Sequence, residues 1–332
     1  MTTTCLITGA TGFVGGHLVE ACTARGWNVR ALARSSSDTS LLQRPNVAVI
    51  RGDMTDAAAL RDALQGVEVV FHCAAKVGDW GPVEEYRAVN VEALLGLLNA
   101  CRAKPLQRFV HFSSLGVYAA RHHYGTDENE PLPDHHIDGY TQTKVESEQL
   151  VLSYHRQHGV PVVVLRPGFI YGPRDRTLMP KLLENLRKRK VRYIGRAHKR
   201  AMNCIYVGNL IEAALLAAEK PEAIGQIFNL TDGEFVSKRR FIDTIVAGMN
   251  LPPPKPVHVP LWAARIMAWW MERDARKKNS PKPPRLTQGR LKLFGLNLDF
   301  SIEKAKKQLG YRPRWSFDDG MRETLAYYKQ NA

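Results

Sequence analysis

Cysteine is scarce and scattered in this chain. Its five cysteines, at positions 5, 22, 73, 101 and 204, form no CxxC pair and no Cys/His ligand spacing. That pattern argues against the common zinc and iron–sulfur centres, and no metal site is expected. Four of them sit in apolar strand-like or helical contexts, so buried, reduced thiols in a cytoplasm-like compartment are expected. Long apolar runs are missing too: none approaches the length of a membrane span, and no charged-then-apolar leader precedes the first strand. A cytoplasmic location is the expectation. Acidic residues are in deficit, 32 against 47 Lys and Arg, leaving a formal charge of +15. Such an excess favours anionic partners: a phosphorylated cofactor, an acidic substrate, an anionic membrane surface or nucleic acid.

The 332 residues can hold two domains, or one large α/β domain with a substrate-binding lobe. They are organised around Cys5-Leu6-Ile7-Thr8-Gly9-Ala10-Thr11-Gly12-Phe13-Val14-Gly15-Gly16-His17-Leu18. This is an apolar run that breaks into glycines and resumes with helical spacing, hence a buried strand, a tight turn and a helix start. Gly9, Gly12 and Gly15 suit a sharp turn, close approach to a ligand phosphate, and close packing of helix on strand. The helix start supplies free N–H groups and a positive dipole end for a pyrophosphate.

A helix over 17–25 and a second strand over 28–33 complete a βαβ unit of the dinucleotide-binding kind. One more absence matters here: no acidic residue ends the second strand, where one would accept ribose hydroxyls. The chain reads Arg34-Ser35-Ser36-Ser37 instead. An arginine with hydroxyl neighbours suits a 2′-phosphate, so NADP(H) is the preferred cofactor, with NAD(H) possible. A third strand over 47–51 leads to Asp53, at the sheet edge where an adenine amino group would lie, and Asp56 reads as a helix N-cap. A fourth strand over 67–73 runs into Ala74-Ala75, small enough to let a cofactor lie on backbone. The loop Lys76-Val77-Gly78-Asp79-Trp80-Gly81-Pro82 is either a substrate-facing wall or simply exposed. In a long helix over 86–104, Asn90 needs polar partners and either braces backbone near the site or is a satisfied core amide. A fifth strand over 107–113 ends at Ser114.

Tyr140 and Lys144 stand four apart on one helix face. A phenol near pKa 10 is a poor base at neutral pH, and a neighbouring ammonium should lower that value. A hydroxyl delivered at Ser114 can orient a substrate oxygen and stabilise alkoxide charge. Together the three residues make a metal-free proton-transfer device.

In this order the motifs resemble the extended short-chain dehydrogenase/reductase superfamily, also called the NAD-dependent epimerase/dehydratase family. Thr8 to Gly15 looks like its cofactor motif, Gly52-Asp53-Met54-Thr55-Asp56 like its adenine-side acid, and Asn90 like its helix asparagine. Phe112-Ser113-Ser114-Leu115-Gly116-Val117-Tyr118 looks like its serine segment, and Tyr140 with Lys144 like its YxxxK. Arg166-Pro167-Gly168-Phe169-Ile170-Tyr171-Gly172-Pro173 looks like its RPxxxYGP segment, and Leu309-Gly310-Tyr311-Arg312-Pro313 like its C-terminal signature. The resemblance implies a doubly wound, parallel-sheet Rossmann domain with a smaller, discontinuous C-terminal lobe. Residues 1–168, with 204–230 returning, would bind the dinucleotide, and 169–203 and 231–332 the substrate. It implies catalytic roles for Ser114, Tyr140, Lys144 and Asn90. The cofactor would lie along Gly9, Thr11, Gly12, Phe13, Val14, Gly15, Arg34, Asp53, Met54, Ala74, Ala75, Lys76, Ser113, Tyr140, Lys144, Pro167, Gly168 and Ile170. Lys76, Trp80, Ser114, Phe169 and Trp262 would face substrate. A homodimer is also implied.

After a sixth strand over 161–166 the regular alternation stops. Residues 181–200 are dense in lysine and arginine, suiting a solvated basic helix and hairpin, a diphosphate or carboxylate clamp, or a nucleic-acid patch, the first being the simplest. A strand over 226–230 returns to the sheet. His122-His123 and His135-His136 read as exposed loop residues. Trp262, Ile266, Trp269 and Trp270 share a helical face that could roof an apolar pocket, dock a partner or rest on a membrane surface, although core packing within the lobe is the plainer expectation. Trp80-Gly81-Pro82 and Asn229-Leu230-Thr231-Asp232-Gly233-Glu234 look most like the 3β-hydroxysteroid dehydrogenase, sterol dehydrogenase and dihydroflavonol reductase-like group. The leading expectation is therefore an oxidoreductase interconverting a small hydrophobic secondary alcohol and its ketone, on a 3β-hydroxysteroid/sterol-like or 3-keto acid-like substrate. The alternatives are a nucleotide-sugar epimerase or dehydratase with the same triad, and a non-catalytic NADP-sensing or nucleic-acid-binding protein. The intact triad argues against the last, and no nucleic acid is expected; peripheral membrane contact stays open.

Overall fold

The computed structural model describes residues 2–255 and 258–331. The apolar runs of the first half become a seven-stranded sheet of β1 (Thr4–Thr8), β2 (Asn28–Ala33), β3 (Val47–Arg51), β4 (Val69–His72), β5 (Arg108–Phe112), β7 (Val162–Pro167) and β11 (Ile227–Leu230). Its spatial order is β11-β7-β5-β4-β1-β2-β3, and its neighbours pair in parallel. Strands buried on both faces read as near-continuous apolar runs, which is why they were legible. The order reverses beside β1, where Cys5 pairs with Val29 on one side and Val69 on the other. Ligands of doubly wound sheets lie at the carboxyl ends beside such a reversal.

Helices cover both faces. On one, α1 (Phe13–Ala24) and α7 (Val207–Glu219) enter a core through Leu18, Val19, Cys22, Leu210 and Ala214. On the other, α2 (Ala57–Ala63), α4 (Ala93–Cys101) and α5 (Gly139–His158) bury Leu60, Leu97, Leu98 and Val151. Asp56 caps α2, accepting hydrogen bonds from the N–H groups of Ala58 and Ala59 at 2.8 and 3.2 Å. Asp138 caps α5 in the same way through the Thr141 N–H at 2.7 Å. The helix ends at Gly159, whose φ of 69° is the left-handed conformation that glycine adopts without steric cost.

Two helices depart from expectation. α1 starts at Phe13, four residues ahead of 17, because the glycine turn itself closes into the first helical turn through the Gly16 N–H to Gly12 carbonyl bond of 2.9 Å. The long helix is divided into α3 (Val83–Arg87), a π-helical turn at Ala88–Glu92, and α4. Wide turns of this kind often mark functional positions, and this one carries Asn90.

The second half adds α6 (Met179–Arg187), α8 (Lys238–Gly248), α9 (Leu261–Lys277), α10 (Gln288–Gly295) and α11 (Phe317–Gln330). Three short parallel pairs join distant segments: β8 (Phe169–Tyr171) with β10 (Cys204–Tyr206), β9 (Tyr193–Ile194) with β12 (His258–Val259), and β6 (His123–Thr126) with β13 (Leu298–Phe300). The second half corrects three expectations. The basic segment forms a helix and then a strand paired in parallel with β12, not a hairpin. His123 is fully buried, because β13 covers it and Phe300 lies 4.7 Å from its ring. The tryptophans of α9 are exposed, since that helix packs through its alanines. The cysteines are all free, four of them buried and Cys73 half-buried.

Candidate active site

The glycine turn is built by steric necessity. Gly9 has φ of 69°, and a Cβ there would meet the Ala74 nitrogen at 2.9 Å. A Cβ on Gly15 would stand 2.2 Å from the Gly9 carbonyl oxygen. Gly12, the N-cap of α1, offers no capping side chain, so the first N–H groups of the helix stay available to an anion. A shallow cleft opens on this turn, bounded by Thr11, Gly12, Phe13, Asp38, Leu41, Arg174 and Arg176. A dinucleotide pyrophosphate fits such a cradle of bare backbone between cationic side chains.

Arg34 is exposed at the end of β2, and Arg51, its neighbour at the end of β3, shapes the loop that carries it. The Arg51 guanidinium donates to the carbonyls of Arg34 and Ser37 at 3.1 and 3.0 Å and to the Thr39 hydroxyl at 2.7 Å. Asp53 is exposed at the end of β3, one oxygen accepting from the Thr55 N–H and hydroxyl at 3.0 and 2.9 Å. Met54 is buried in the core beneath it. Arg174 donates to Nδ1 of His17 at 2.8 Å, so the other ring nitrogen of His17 donates to the Pro173 carbonyl at 3.1 Å. Arg174 also pairs with Glu20, tying the segment after β8 to α1.

Ser114 follows β5, its hydroxyl accepting from the Gly116 N–H at 3.0 Å. Tyr140 lies in the first turn of α5, with the Ser114 hydroxyl beside its phenol. Lys144, one turn further, stands 6.0 Å from the Tyr140 ring centre and donates to the Phe112 carbonyl at 2.6 Å. Burial pushes the phenol up to about 12, the hydrogen bond from Ser114 opposing and Asp138 adding to the rise. The expected net depression of this phenol is thus not found: desolvation outweighs the hydrogen bond from Ser114, while the Lys144 ammonium is committed to the Phe112 carbonyl. Burial also lowers Lys144 to about 8, with Glu148 and Cys73 opposing. Tyr140 is consequently a neutral phenol at physiological pH, and Lys144 is mostly but not fully charged.

Several buried polar groups are paired beneath these residues. Asn90 is buried; its side-chain oxygen accepts from the Lys76 N–H at 2.7 Å, and its amide donates to the Lys76 carbonyl and the Thr143 hydroxyl at 3.1 and 3.0 Å. It therefore couples the loop after β4 to α5. Two buried histidines, His72 and His111, stack with centroids 5.5 Å apart under Lys144, and burial holds His72 neutral, near 3. Arg166 and Glu148 form a buried bidentate pair, and Arg166 also donates to the Tyr118 hydroxyl at 2.8 Å. Lys292 of α10 donates to the carbonyls of Gly116 at 2.7 Å and Tyr118, clamping the serine segment from the far end of the chain. Of these, Arg51 had a signal in sequence, a second arginine at a strand end beside Arg34. Lys292, His72 and His111 had none.

The remaining candidates fall in different places. Ser113 is buried with its hydroxyl unpaired at the end of β5, a polar atom suited to a ligand, and Gly168 could carry no side chain because a Cβ would meet the Asn203 carbonyl at 1.8 Å. Val14, Ala75, Pro167 and Ile170 lie in the first turn of α1, the β4 exit, β7 and β8 respectively. Lys76 pairs with Glu85. Trp80 donates to the Ser280 carbonyl at 2.9 Å, so its loop is docked on the region after α9. Phe169 packs edge-on to Phe241 at 5.6 Å, beside the core. Trp262 stands outward on α9, 69% exposed.

Residues 5–231 match the model of the NAD dependent epimerase/dehydratase family. A 4-hydroxy-2-methyl-3-oxo-4-farnesyl-3,4-dihydroquinoline-1-oxide ketoreductase from Stigmatella aurantiaca is 31% identical over 316 residues, 95% of this chain and 93% of that one. A 3 beta-hydroxysteroid dehydrogenase/Delta 5→4-isomerase from Mycobacterium tuberculosis is 34% identical over 337 residues, 97% and 90% of the two chains. The solved structure of UDP-glucuronic acid 4-epimerase from Bacillus cereus in complex with NAD superposes with a TM-score of 0.76 at 25% identity, covering 99% of both chains. A match running from the glycine turn through the triad to β11, and relatives alike from end to end, lead to one conclusion: this chain belongs to the NAD-dependent epimerase/dehydratase family, as an oxidoreductase of its extended short-chain dehydrogenase/reductase group.

Proposed function

We propose that the enzyme interconverts a hydrophobic secondary alcohol and its ketone, using NADP(H) in preference to NAD(H). The observation that carries this reading is the convergence of Ser114, Tyr140 and Lys144 past the end of β5, on the same sheet edge as the glycine turn. In this reading residues 1–168 with 204–230 hold the cofactor, and 169–203 with 231–332 form the substrate side. The cofactor, when bound, supplies or receives the hydride at the carbinol carbon. Ser114 holds the substrate oxygen by a hydrogen bond, and Tyr140 gives that oxygen its proton as alkoxide charge develops. The ammonium of Lys144 then stabilises the phenolate left behind. Asn90 is a positioning residue, holding the Lys76 backbone and Thr143 in register. A phenol raised to about 12 is protonated near neutral pH, which is the form that gives a proton in ketone reduction.

The names of the relatives support an apolar substrate: a farnesylated ring ketone in one case, a steroid in the other. Arg34, in place of an acid after β2, supports the phosphorylated cofactor. The test is net oxidation of NADPH by a panel containing a 3-ketosteroid, a long-chain 3-oxo acid and UDP-glucose. An apolar ketone should be reduced, and Tyr140→Phe should slow that reduction by about a thousandfold. Normal turnover by Tyr140→Phe would overturn the mechanism. Epimerisation of the sugar nucleotide with no net cofactor change would replace the proposal with a nucleotide-sugar enzyme.

A further inference from the structure

Amphipathic order is inverted in α9. Its buried stripe consists of Ala264, Ala268, Glu272 and Ala275, small groups except for one carboxylate that accepts from the Gln288 N–H at 2.7 Å. Four of its large apolar side chains face away from the protein: Trp262 is 69% exposed, Ile266 52%, Trp269 49% and Trp270 60%. Together they present on the order of 500 Å² of apolar surface, a size that marks an interaction site on a protein in water. Cations surround it. Arg265, Arg273, Arg276, Lys277 and Lys278 are exposed on the helix and just beyond its end, followed by Lys282 and Arg285. The acids there are already engaged, Glu272 with Gln288 and Asp274 with Lys278 at 2.8 Å.

We propose that α9 docks the enzyme onto an anionic lipid bilayer surface, with Trp262, Ile266, Trp269 and Trp270 entering the headgroup–acyl boundary and the arginines and lysines meeting lipid phosphates. Indole rings settle at that boundary because one edge is polar and the rest apolar. Arg273, 5.2 Å above the Trp269 ring, sets a cation at the depth of the lipid phosphates. Charge complementarity selects the bilayer over a second copy of the chain. Two such faces would bring their basic rims together, in a protein already carrying +15, whereas an anionic leaflet attracts each of them. The patch also adjoins the loop that holds Trp80: Arg276 lies 5.8 Å over that ring, and Val77 of the same loop is 65% exposed. Delivery of apolar substrate from the bilayer to that loop rests on the function proposed above; the docking itself does not.

The experiment is co-sedimentation of the full chain with vesicles of phosphatidylcholine alone, or with an equal share of phosphatidylglycerol. Binding to the mixed vesicles should be at least about tenfold tighter and should weaken as salt is raised. Trp269→Ser/Trp270→Ser should weaken it by about a hundredfold. Arg273→Glu/Lys277→Glu should remove the preference for phosphatidylglycerol while leaving a residual, salt-insensitive affinity. Thermal melting by circular dichroism reports that both variants remain folded. No binding to mixed vesicles, or equal binding to both kinds, overturns the proposal. So does a tryptophan variant that binds vesicles normally but converts a dimer to a monomer in sedimentation equilibrium, because the face would then be covered by a second copy. The readout is lipid binding, so it stands or fails independently of which substrate is reduced.

Discussion

Raising the pH is the most direct perturbation of the proposed proton donor and its partner. Burial lowers Lys144 from 10.5 to about 8, while Tyr140 is held near 12. Only the lysine therefore changes charge between pH 7 and 10. With a midpoint of 8 about nine-tenths of it is charged at pH 7 and about one-tenth at pH 9. If the ammonium must face the phenolate formed during reduction, kcat/KM for the ketone should fall about tenfold over those two units, then tenfold per further unit. Folding should respond with the opposite slope. Below pH 8 the folded state bears the full cost of a buried ammonium; between 8 and 10.5 the unfolded chain binds the extra proton, so stability rises with pH, by up to about 3 kcal/mol from this group. Lys292 and Lys238, lowered by burial to about 8 and 7, add to the stability effect with the same sign. Only Lys144 lies beside the phenol, so the kinetic inflection should persist in Lys292→Met and vanish in Lys144→Met. Initial rates of NADPH oxidation against pH, beside urea unfolding at each pH, test both. A flat profile through pH 9, or an inflection surviving in Lys144→Met, would refute the reasoning.

Three further outcomes follow from the geometry. Arg34→Ala should raise KM for NADPH about thirtyfold while changing KM for NADH less than about threefold, since a charge-assisted bond to phosphate is worth about 2 kcal/mol; equal losses would mean that Arg34 does not meet a 2′-phosphate. Arg166→Met leaves Glu148 as an unpaired buried carboxylate and should cost about 3–5 kcal/mol, read as a lower urea midpoint, whereas Arg166→Met with Glu148→Met should recover much of that loss. Lys292→Met frees the Gly116 and Tyr118 carbonyls and loosens the segment carrying Ser114, so kcat should fall about ten- to hundredfold with little change in KM; a change confined to thermal stability would make Lys292 structural only.

Local signals carried the first half of the fold. The strands expected over 28–33 and 47–51 have those bounds in the structure, and Asp56 caps α2, because a parallel strand buried on both faces and a helix cap are each decided by a few adjacent residues. The same holds for the order of glycine turn, Ser114, Tyr140 and Lys144, which the sheet brings to one edge. Tyrosine and lysine four apart on a helix were readable as neighbours, but not their proton affinities. Those depend on how completely water is excluded, and Lys144 meets the Phe112 carbonyl across 32 positions.

Distance along the chain accounts for most of what was not legible. Lys292 reaches Gly116 across 176 positions, and the parallel partner of β6 comes from β13, so nothing near His123 announced that it would be buried. Helix α9 shows the same gap in its sharpest form. Periodicity in sequence states which residues share a face; it does not state which way that face turns. A stripe of Trp, Ile and Trp is ordinarily the side that packs, and here the alanine stripe packs instead because α9 seats against α10 and the Glu272 carboxylate must reach the Gln288 N–H. Small residues permit that close seating, and their burial forces the tryptophans outward. The cations along the helix then have a second meaning: they are the rim of an exposed apolar surface, not the solvated back of a buried one. That reversal gives a composition of +15, which in sequence chose among no partners, the geometry on which docking to an anionic bilayer surface is proposed.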